Sequence, residues 1–144
     1  MVQVEVRRTI AAPPERVFDW LTDPVNLTAA PLFLRAGWVN GVSGPSVGAR
    51  REVIVLGAWL REEITGWDAP RSYSYRVIRS VPPANHEGGT VTVTPSGDGS
   101  DVTWATGYTV PALGGGKLTE AVTLPIFRSS FRAILDGCAK ALER

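Results

Sequence analysis

The sequence predicts an α+β domain with an antiparallel sheet of about seven strands, two short helices after the first strand, and one long C-terminal helix. Three observations support this prediction. An alternating apolar pattern with prolines opens the chain, β-branched and aromatic runs between short turns fill 32–110, and an apolar stripe at helical spacing closes it. Short turns join antiparallel neighbours, whereas parallel strands need long crossovers. We expect 1–144 to form a single domain.

The residues before position 24 predict the first strand and the first helix. Apolar and polar residues alternate as in a half-buried strand, and the apolar ones are Val2, Val4 and Val6. Pro13 and Pro14 end this strand and favour the first turn of a helix. The apolar face of that helix consists of Val17, Phe18 and Leu21. Pro24 stops the helix, because the residue before a proline avoids the α region, and 25–30 is predicted as a second short helix.

The middle of the chain is predicted to form six more strands. They cover 32–40, 50–56, 59–67, 72–80, 89–94 and 102–110. Segments rich in Gly, Pro, Asp and Ser separate them, namely 41–48, 57–58, 68–71, 82–85 and 95–100. Residues at alternate positions share one face of a strand, so Tyr73 and Tyr75 are predicted on one face of their strand, and Trp104 and Tyr108 on one face of the last.

The last helix is predicted to follow the Gly-rich segment 114–116. Its apolar stripe consists of Phe127, Phe131, Ile134, Leu135, Cys138 and Leu142. Cys138 is therefore expected to be a core residue rather than a nucleophile. Pro125 allows two interpretations: the helix begins near Thr123 with Pro125 in its first turn, or a helix from Thr119 is kinked at Pro125.

Composition argues against several classes of function. The formal net charge is +1 and basic residues form no block, so nucleic-acid binding is not indicated. No apolar run reaches the roughly 20 residues of a membrane span, and the first residues lack the layout of a signal peptide. With His86 as the one histidine and Cys138 as the one cysteine, no metal site and no internal disulfide are expected. We expect a cytoplasmic monomer or homodimer without a cofactor.

The alternating first strand, the run Ile10-Ala11-Ala12-Pro13-Pro14-Glu15-Arg16-Val17-Phe18 and the pair Asp23-Pro24 together resemble the opening of the START-like (SRPBCC) superfamily. That superfamily includes the polyketide cyclase/dehydrase and lipid-transport group and the Bet v 1-type proteins. The later order of strands and the terminal helix fits it as well. The resemblance implies the helix-grip fold, in which a curved sheet wraps around the long C-terminal helix and an apolar cavity forms between them.

Aromatic residues are the main candidates for binding a ligand in such a cavity. The chain has five tryptophans, and rings of this kind form an apolar wall with a few polar groups. The predicted ligand-binding residues are Trp38, Trp59, Glu62, Tyr75, Trp104, Tyr108, Phe127, Arg128 and Phe131. Trp20 and Trp67 are instead expected to serve packing. Arg128 borders the helical stripe and could bind a ligand carboxylate or phenolate.

Glu62 and His86 are the candidates for acid–base chemistry. Glu62 shares strand parity with Leu60 and Ile64, so it can point inward, and burial would raise its pKa into a useful range. A one-residue bulge would exchange Glu62 for Glu63, and an exposed or salt-bridged carboxylate is the structural alternative. His86 titrates near neutrality, but the sequence shows no partner for it.

Three functions are compatible with these residues. The first is binding of a small hydrophobic or aromatic molecule, such as a polyketide, a lipid or a related metabolite. The second, by analogy with the family alone, is an aromatase/cyclase-type enzyme in which Glu62, His86, Tyr75 and Arg128 assist ring closure and dehydration. The third is a protein–protein interaction module, for which a filled core and an exposed apolar patch would be expected.

Overall fold

A computed structural model describes residues 1–39 and 46–143, and it confirms the predicted order of elements. The strands are β1 (Val2–Ile10), β2 (Phe33–Trp38), β3 (Arg50–Val55), β4 (Ala58–Asp68), β5 (Ser72–Val81), β6 (Asn85–Ser96) and β7 (Gly99–Thr109). The helices are α1 (Pro14–Thr22), α2 (Gly116–Leu142) and two 3₁₀ helices, Pro24–Ala29 and Ala112–Gly114. Positions 41–45 of the loop predicted over 41–48 lie outside the described residues.

The seven strands form one curled antiparallel sheet in the order β1-β7-β6-β5-β4-β3-β2. From β2 to β7, strands that follow one another along the chain pair as antiparallel neighbours. Strand β1 pairs with β7 and forms one edge of the sheet, and β2 forms the other. The turn between β6 and β7 is shorter than predicted. Ser96 pairs with Gly99, which leaves Gly97 and Asp98 as a two-residue turn, and Gly97 adopts a φ of 58°. Gly and Asp favour such tight hairpin turns, so both strands extend into the predicted loop.

Helix α2 is a single helix of 27 residues that contains Pro125. The interpretation in which the helix begins near Thr123 is therefore wrong, and a helix does pass through Pro125, beginning at Gly116. The predicted apolar stripe faces the sheet: Phe131, Ile134, Leu135 and Cys138 are buried, and Phe127 and Leu142 are half-buried. The stripe is what attaches the helix to the concave face of the sheet.

Helix α1 and the first 3₁₀ helix close one end of this core. The apolar face of α1 is buried as predicted, at Val17, Phe18 and Leu21. Trp67 packs edge-on against Phe18 with ring centroids 5.1 Å apart, and Trp20 lies against α2 near Gly137, so both tryptophans serve packing. Across residues 1–39 and 46–143, no helix is both long enough and apolar enough to cross a membrane.

Candidate functional site

A cavity of about 250 Å³ lies between the concave face of the sheet and α2. Strands β2 to β7 and the 3₁₀ helix Pro24–Ala29 contribute one wall, and the first half of α2 contributes the other. Most of the lining is apolar. Its size is close to the lower end of the range for small-molecule sites, roughly 300–1,000 Å³. The cavity is therefore suited to a compact guest of one or a few rings.

Four aromatic rings connect β7 to α2 across the cavity. Trp104 stacks on Phe131 with centroids 4.2 Å apart, and Tyr108 meets Phe127 edge-on at 5.7 Å. The Tyr108 hydroxyl donates to Thr123 Oγ1 at 2.5 Å, because the Thr123 hydroxyl itself donates to the Thr119 carbonyl. This hydrogen bond fixes the position of α2 over the end of β7. The four rings add apolar surface to the cavity wall.

A buried ion pair lies on the opposite wall, where β3 pairs with β4. Arg51 and Glu62 are directly opposed in the ladder, and both side chains line the cavity. Arg51 Nε donates to Glu62 Oε1 at 2.6 Å, and the two residues are only 1% and 6% exposed. Burial is the largest single effect and by itself would lower the pKa of Arg51, but Glu62 together with Tyr73 and Tyr75 outweighs it, so the net pKa is raised. Arg51 is thus a permanent cation neutralised by one carboxylate.

Two tyrosines hold the Arg51 guanidinium in place. Its carbon lies 5.0 Å from the Tyr75 ring centroid and 5.5 Å from that of Tyr73, within the range of a cation–π interaction. Nη1 also lies 3.5 Å from the Tyr73 hydroxyl. The Tyr75 hydroxyl accepts a hydrogen bond from Trp104 Nε1 at 2.8 Å, which joins this group to the aromatic wall. Burial, and then the charge of Glu62, raise the pKa of Tyr75, so its phenol stays protonated.

His86 is half-buried beside Tyr75, with the two rings stacked 5.5 Å apart. Its Nδ1 accepts the Val77 backbone N–H at 2.9 Å, so a neutral ring carries its proton on Nε2 and donates it to Thr106 Oγ1 at 2.6 Å. Burial lowers the pKa of His86 and favours this neutral form. Both ring nitrogens are therefore occupied by the protein, and Nδ1 has no lone pair left for a substrate proton.

The His86 bond also joins two strands at a gap in their pairing. Backbone pairing between β5 and β6 extends from Ser72 opposite Thr92 to Tyr75 opposite Gly89. Beyond that point the imidazole supplies the acceptor for Val77, and Ser80 Oγ accepts the N–H of Ala84. We name this segment, residues 77–80 and 84–88, the β5–β6 seam. It borders the cavity, because Val77, Ser80, Ala84 and His86 are among the lining residues.

The model of one protein family, described as polyketide cyclase / dehydrase and lipid transport, matches residues 1–143. The chain belongs to this family. Its predicted resemblance to the START-like superfamily is thereby confirmed, as is the helix-grip fold. At the level of the family, the role is ligand binding or cyclase-type chemistry.

Solved structures agree with this assignment. TTHA0849 from Thermus thermophilus superposes with a TM-score of 0.75 at 21% identity, covering 96% of this chain and 95% of that one. XoxI from Bacillus cereus gives 0.75 at 18%, covering 99% and 96%. The Aha1 dimer from Colwellia psychrerythraea gives 0.68 at 16%, covering 99% and 97%. Identities this low indicate the shared fold alone, and no curated protein matches in sequence.

Six of the predicted ligand-binding residues line the cavity of this family member: Glu62, Tyr75, Trp104, Tyr108, Phe127 and Phe131. His86 also lines it. Strand parity places Glu62 inward and leaves Glu63 beside Arg50 on the outer face, which resolves the choice between the two carboxylates. Whether these residues bind a ligand stays a prediction.

Three predicted residues lie away from the cavity lining. Trp59 has the opposite strand parity to Leu60 and Glu62, and it packs with Arg61 on the outer face at 5.4 Å. Trp38 lies at the end of β2, opposite Arg51 in the ladder and half-buried against the core, but Phe33 is the residue of that strand that lines the cavity. Arg128 follows Phe127 by one position, about 100° around the helix, and it lines a shallow outer groove with Arg132 and Asp136.

Sequence reasoning missed Arg51, Thr106 and Thr123. Arg51 shares strand parity with Val53 and Val55, which are both buried, so the alternation contained the signal. A charged residue in that position is normally assigned to the surface, and only the opposed Glu62 makes its burial tolerable. Thr106 has the strand parity of Trp104 and Tyr108, but its contact with His86 depends on a bulge between His86 and Gly88 that no pattern indicates.

Proposed function

We propose that this protein binds one small hydrophobic or aromatic molecule, of polyketide or lipid type, in the cavity between the sheet and α2. The observation that carries the proposal is an apolar cavity bordered by the rings of Trp104, Tyr108, Phe127 and Phe131, with a compact polar group on β3 to β5. Such a combination gives a guest apolar contact area and a small number of orienting hydrogen bonds. The family description supports the same role.

The polar contacts favour binding over acid–base catalysis. A general base needs a lone pair within reach of the substrate proton, and His86 Nδ1 is occupied by the Val77 N–H. Glu62 Oε1 accepts a hydrogen bond from Arg51 Nε at 2.6 Å, so this oxygen already has a partner in the protein. Of the four residues that the cyclase hypothesis names, His86 has no free lone pair and Arg128 lies in the outer groove.

Two neighbouring serines on α2 allow a matched test. Ser130 is buried and lines the cavity, whereas Ser129 is exposed in the outer groove. In Ser130→Leu the larger side chain would occupy the cavity, while Ser129→Leu adds the same atoms outside it. We expect the neutral probe N-phenyl-1-naphthylamine to bind the wild-type protein and Ser129→Leu with equal affinity, and Ser130→Leu at least about tenfold more weakly, because the volume available to the probe is lost.

The measurement is the rise in probe fluorescence on titration with protein, together with quenching of tryptophan emission from Trp104. Circular dichroism of both variants serves as the folding control. Absence of any fluorescence rise with the wild-type protein, or equal binding by both variants, would contradict binding in this cavity.

A further inference from the structure

We propose that the cavity selects uncharged guests that carry a hydroxyl or carbonyl oxygen, and that it rejects carboxylates of the same shape. This inference rests on the proposed function and names the ligand class. It follows from the charge of the Arg51–Glu62 pair and from the hydrogen-bonding atoms that this pair and Tyr75 leave unused.

The charges of the cavity lining cancel. Among the lining residues in 1–39 and 46–143, the ionised side chains are Arg51 and Glu62, which are bonded to each other. Apart from tyrosines, the other titratable residue among them is His86. Both of its ring nitrogens form hydrogen bonds in the neutral state. An anionic guest would meet no net positive charge, although Arg51 alone suggests a carboxylate-binding site.

A guest carboxylate could not bind Arg51 without removing the hydrogen-bond partner of the buried Glu62. If the guanidinium turned toward the guest, the Glu62 carboxylate would lose its partner while it remains buried, and an unpaired buried charge is strongly unfavourable. If Arg51 stayed in place, the guest would bring a second anion into an apolar cavity next to Glu62. Either arrangement leaves one negative charge uncompensated. A neutral guest avoids this cost.

Three atoms of this wall remain available to a neutral polar group. Arg51 Nη2 and Glu62 Oε2 form no hydrogen bond with the part of the chain that the structure describes, and the Tyr75 hydroxyl accepts from Trp104 without donating to any described residue. Fully enclosed side-chain atoms without a partner, within the same residues, are Nε of Arg8 and of Arg61. Nη2 of Arg51 and Oε2 of Glu62 are not among these enclosed atoms, and both residues line the cavity. Together they offer donors to a guest oxygen and an acceptor to a guest hydroxyl.

Three naphthalenes of similar size separate the possible ligand classes. At pH 7.5, 2-naphthol is neutral with a hydroxyl, 2-naphthoate is anionic, and 2-methylnaphthalene has no polar group. In equilibrium dialysis we expect 2-naphthol to bind most tightly, 2-methylnaphthalene to come second and 2-naphthoate to bind most weakly. The affinity for 2-naphthol should exceed that for 2-naphthoate at least about tenfold.

Variants assign the selectivity to the named atoms. Glu62→Gln removes the compensating charge and leaves Arg51 as a free cation, so the affinity for 2-naphthoate should rise about tenfold or more. Glu63→Gln, the adjacent outward carboxylate, should change no affinity. Tyr75→Phe removes one donor, so it should weaken 2-naphthol severalfold and leave 2-methylnaphthalene unchanged.

The outcomes distinguish this inference from the function on which it depends. If none of the three compounds binds, the proposed function itself fails. If 2-methylnaphthalene binds but 2-naphthoate binds as tightly as 2-naphthol, the cavity binds apolar guests and the selectivity is refuted. Should Glu62→Gln not fold, the wild-type ranking and the Tyr75→Phe pair still decide the question.

Discussion

The Arg51–Glu62 pair shows how one residue can dominate the stability of its surroundings. Both side chains are buried, with Nε and Oε1 2.6 Å apart, and Arg51 also lies over two tyrosine rings. Removing one partner of such a pair leaves an uncompensated charge, whereas replacing both by apolar residues is often neutral. Losing one partner should therefore cost more stability than replacing both. A double-variant cycle can measure the coupling energy between Arg51 and Glu62 separately from the contribution of the pair to folding.

Arg51→Met should lower the free energy of unfolding by about 3–5 kcal/mol, because Glu62 is left buried without its partner. Arg51→Met combined with Glu62→Leu should recover most of that loss. Urea denaturation of the wild type, both single variants and the double variant measures the coupling. A double variant no more stable than Arg51→Met would show that the cost lies in lost packing against the tyrosines.

His86 should make stability depend on pH. Its pKa is lowered in the folded state from an ordinary value of 6.5, chiefly by burial, with Glu62, Arg76 and Glu87 as the charged groups nearby. The unfolded chain therefore binds the proton more readily, so the contribution of His86 is present above pH 6.5 and is lost as the pH falls through the folded pKa. Protonation also removes the Nδ1 lone pair that accepts the Val77 N–H.

The variant His86→Asn tests this dependence, because its amide oxygen can replace Nδ1 without titrating. Between pH 8 and 5, the free energy of unfolding of the wild type should fall relative to that of His86→Asn. The difference between the two proteins cancels the carboxylates, which titrate in both. Parallel curves over that range would mean that His86 binds its proton equally in the folded and unfolded states, so that folding does not lower its pKa.

At the scale of elements, helix α2 approaches the 3₁₀ helix Pro24–Ala29 through a glycine. A Cβ placed on Gly137 would come within 2.8 Å of the Ala29 Cβ and 3.5 Å of the Trp20 ring. Glycine inside a helix costs about 1 kcal/mol relative to alanine, so its presence here reflects the close contact of backbones. The requirement for glycine at position 137 therefore comes from packing between the two helices and not from the helical conformation of α2.

Gly137→Ala should therefore destabilise the protein, by about 1–3 kcal/mol, in spite of the better helix propensity of alanine. Adding Ala29→Gly removes the atom that the new methyl group would meet, and should restore much of the loss. Thermal unfolding of the two variants and the wild type decides between the effects. If Gly137→Ala alone raises the melting temperature, the contact is looser than its distances indicate.

The whole molecule shows what the sequence could and could not predict. The alternation of β1, the hairpins and the helical stripe depend on local periodicity, so the fold was predictable nearly in full. Which side chains line the cavity depends instead on the register of the strands and the phase of the helix. The bulge in β2 places Phe33 rather than Leu34 on the inner face with Ala36, and the phase of α2 turns Arg128 outward. Such shifts of one residue exchange inner and outer faces, and they arise from packing between strands that no single segment contains.

Along the β5–β6 seam, which borders the cavity, the sheet lacks backbone pairing between its two strands. Two side-chain bonds, to His86 and to Ser80, hold strands that elsewhere are joined by their main chains. If each contributes on the order of 1 kcal/mol net, these side-chain bonds add about 2 kcal/mol to the joining of the two strands beyond Tyr75 and Gly89. The two strands are therefore expected to separate first along this segment, at the border of the cavity, while their paired ends stay joined.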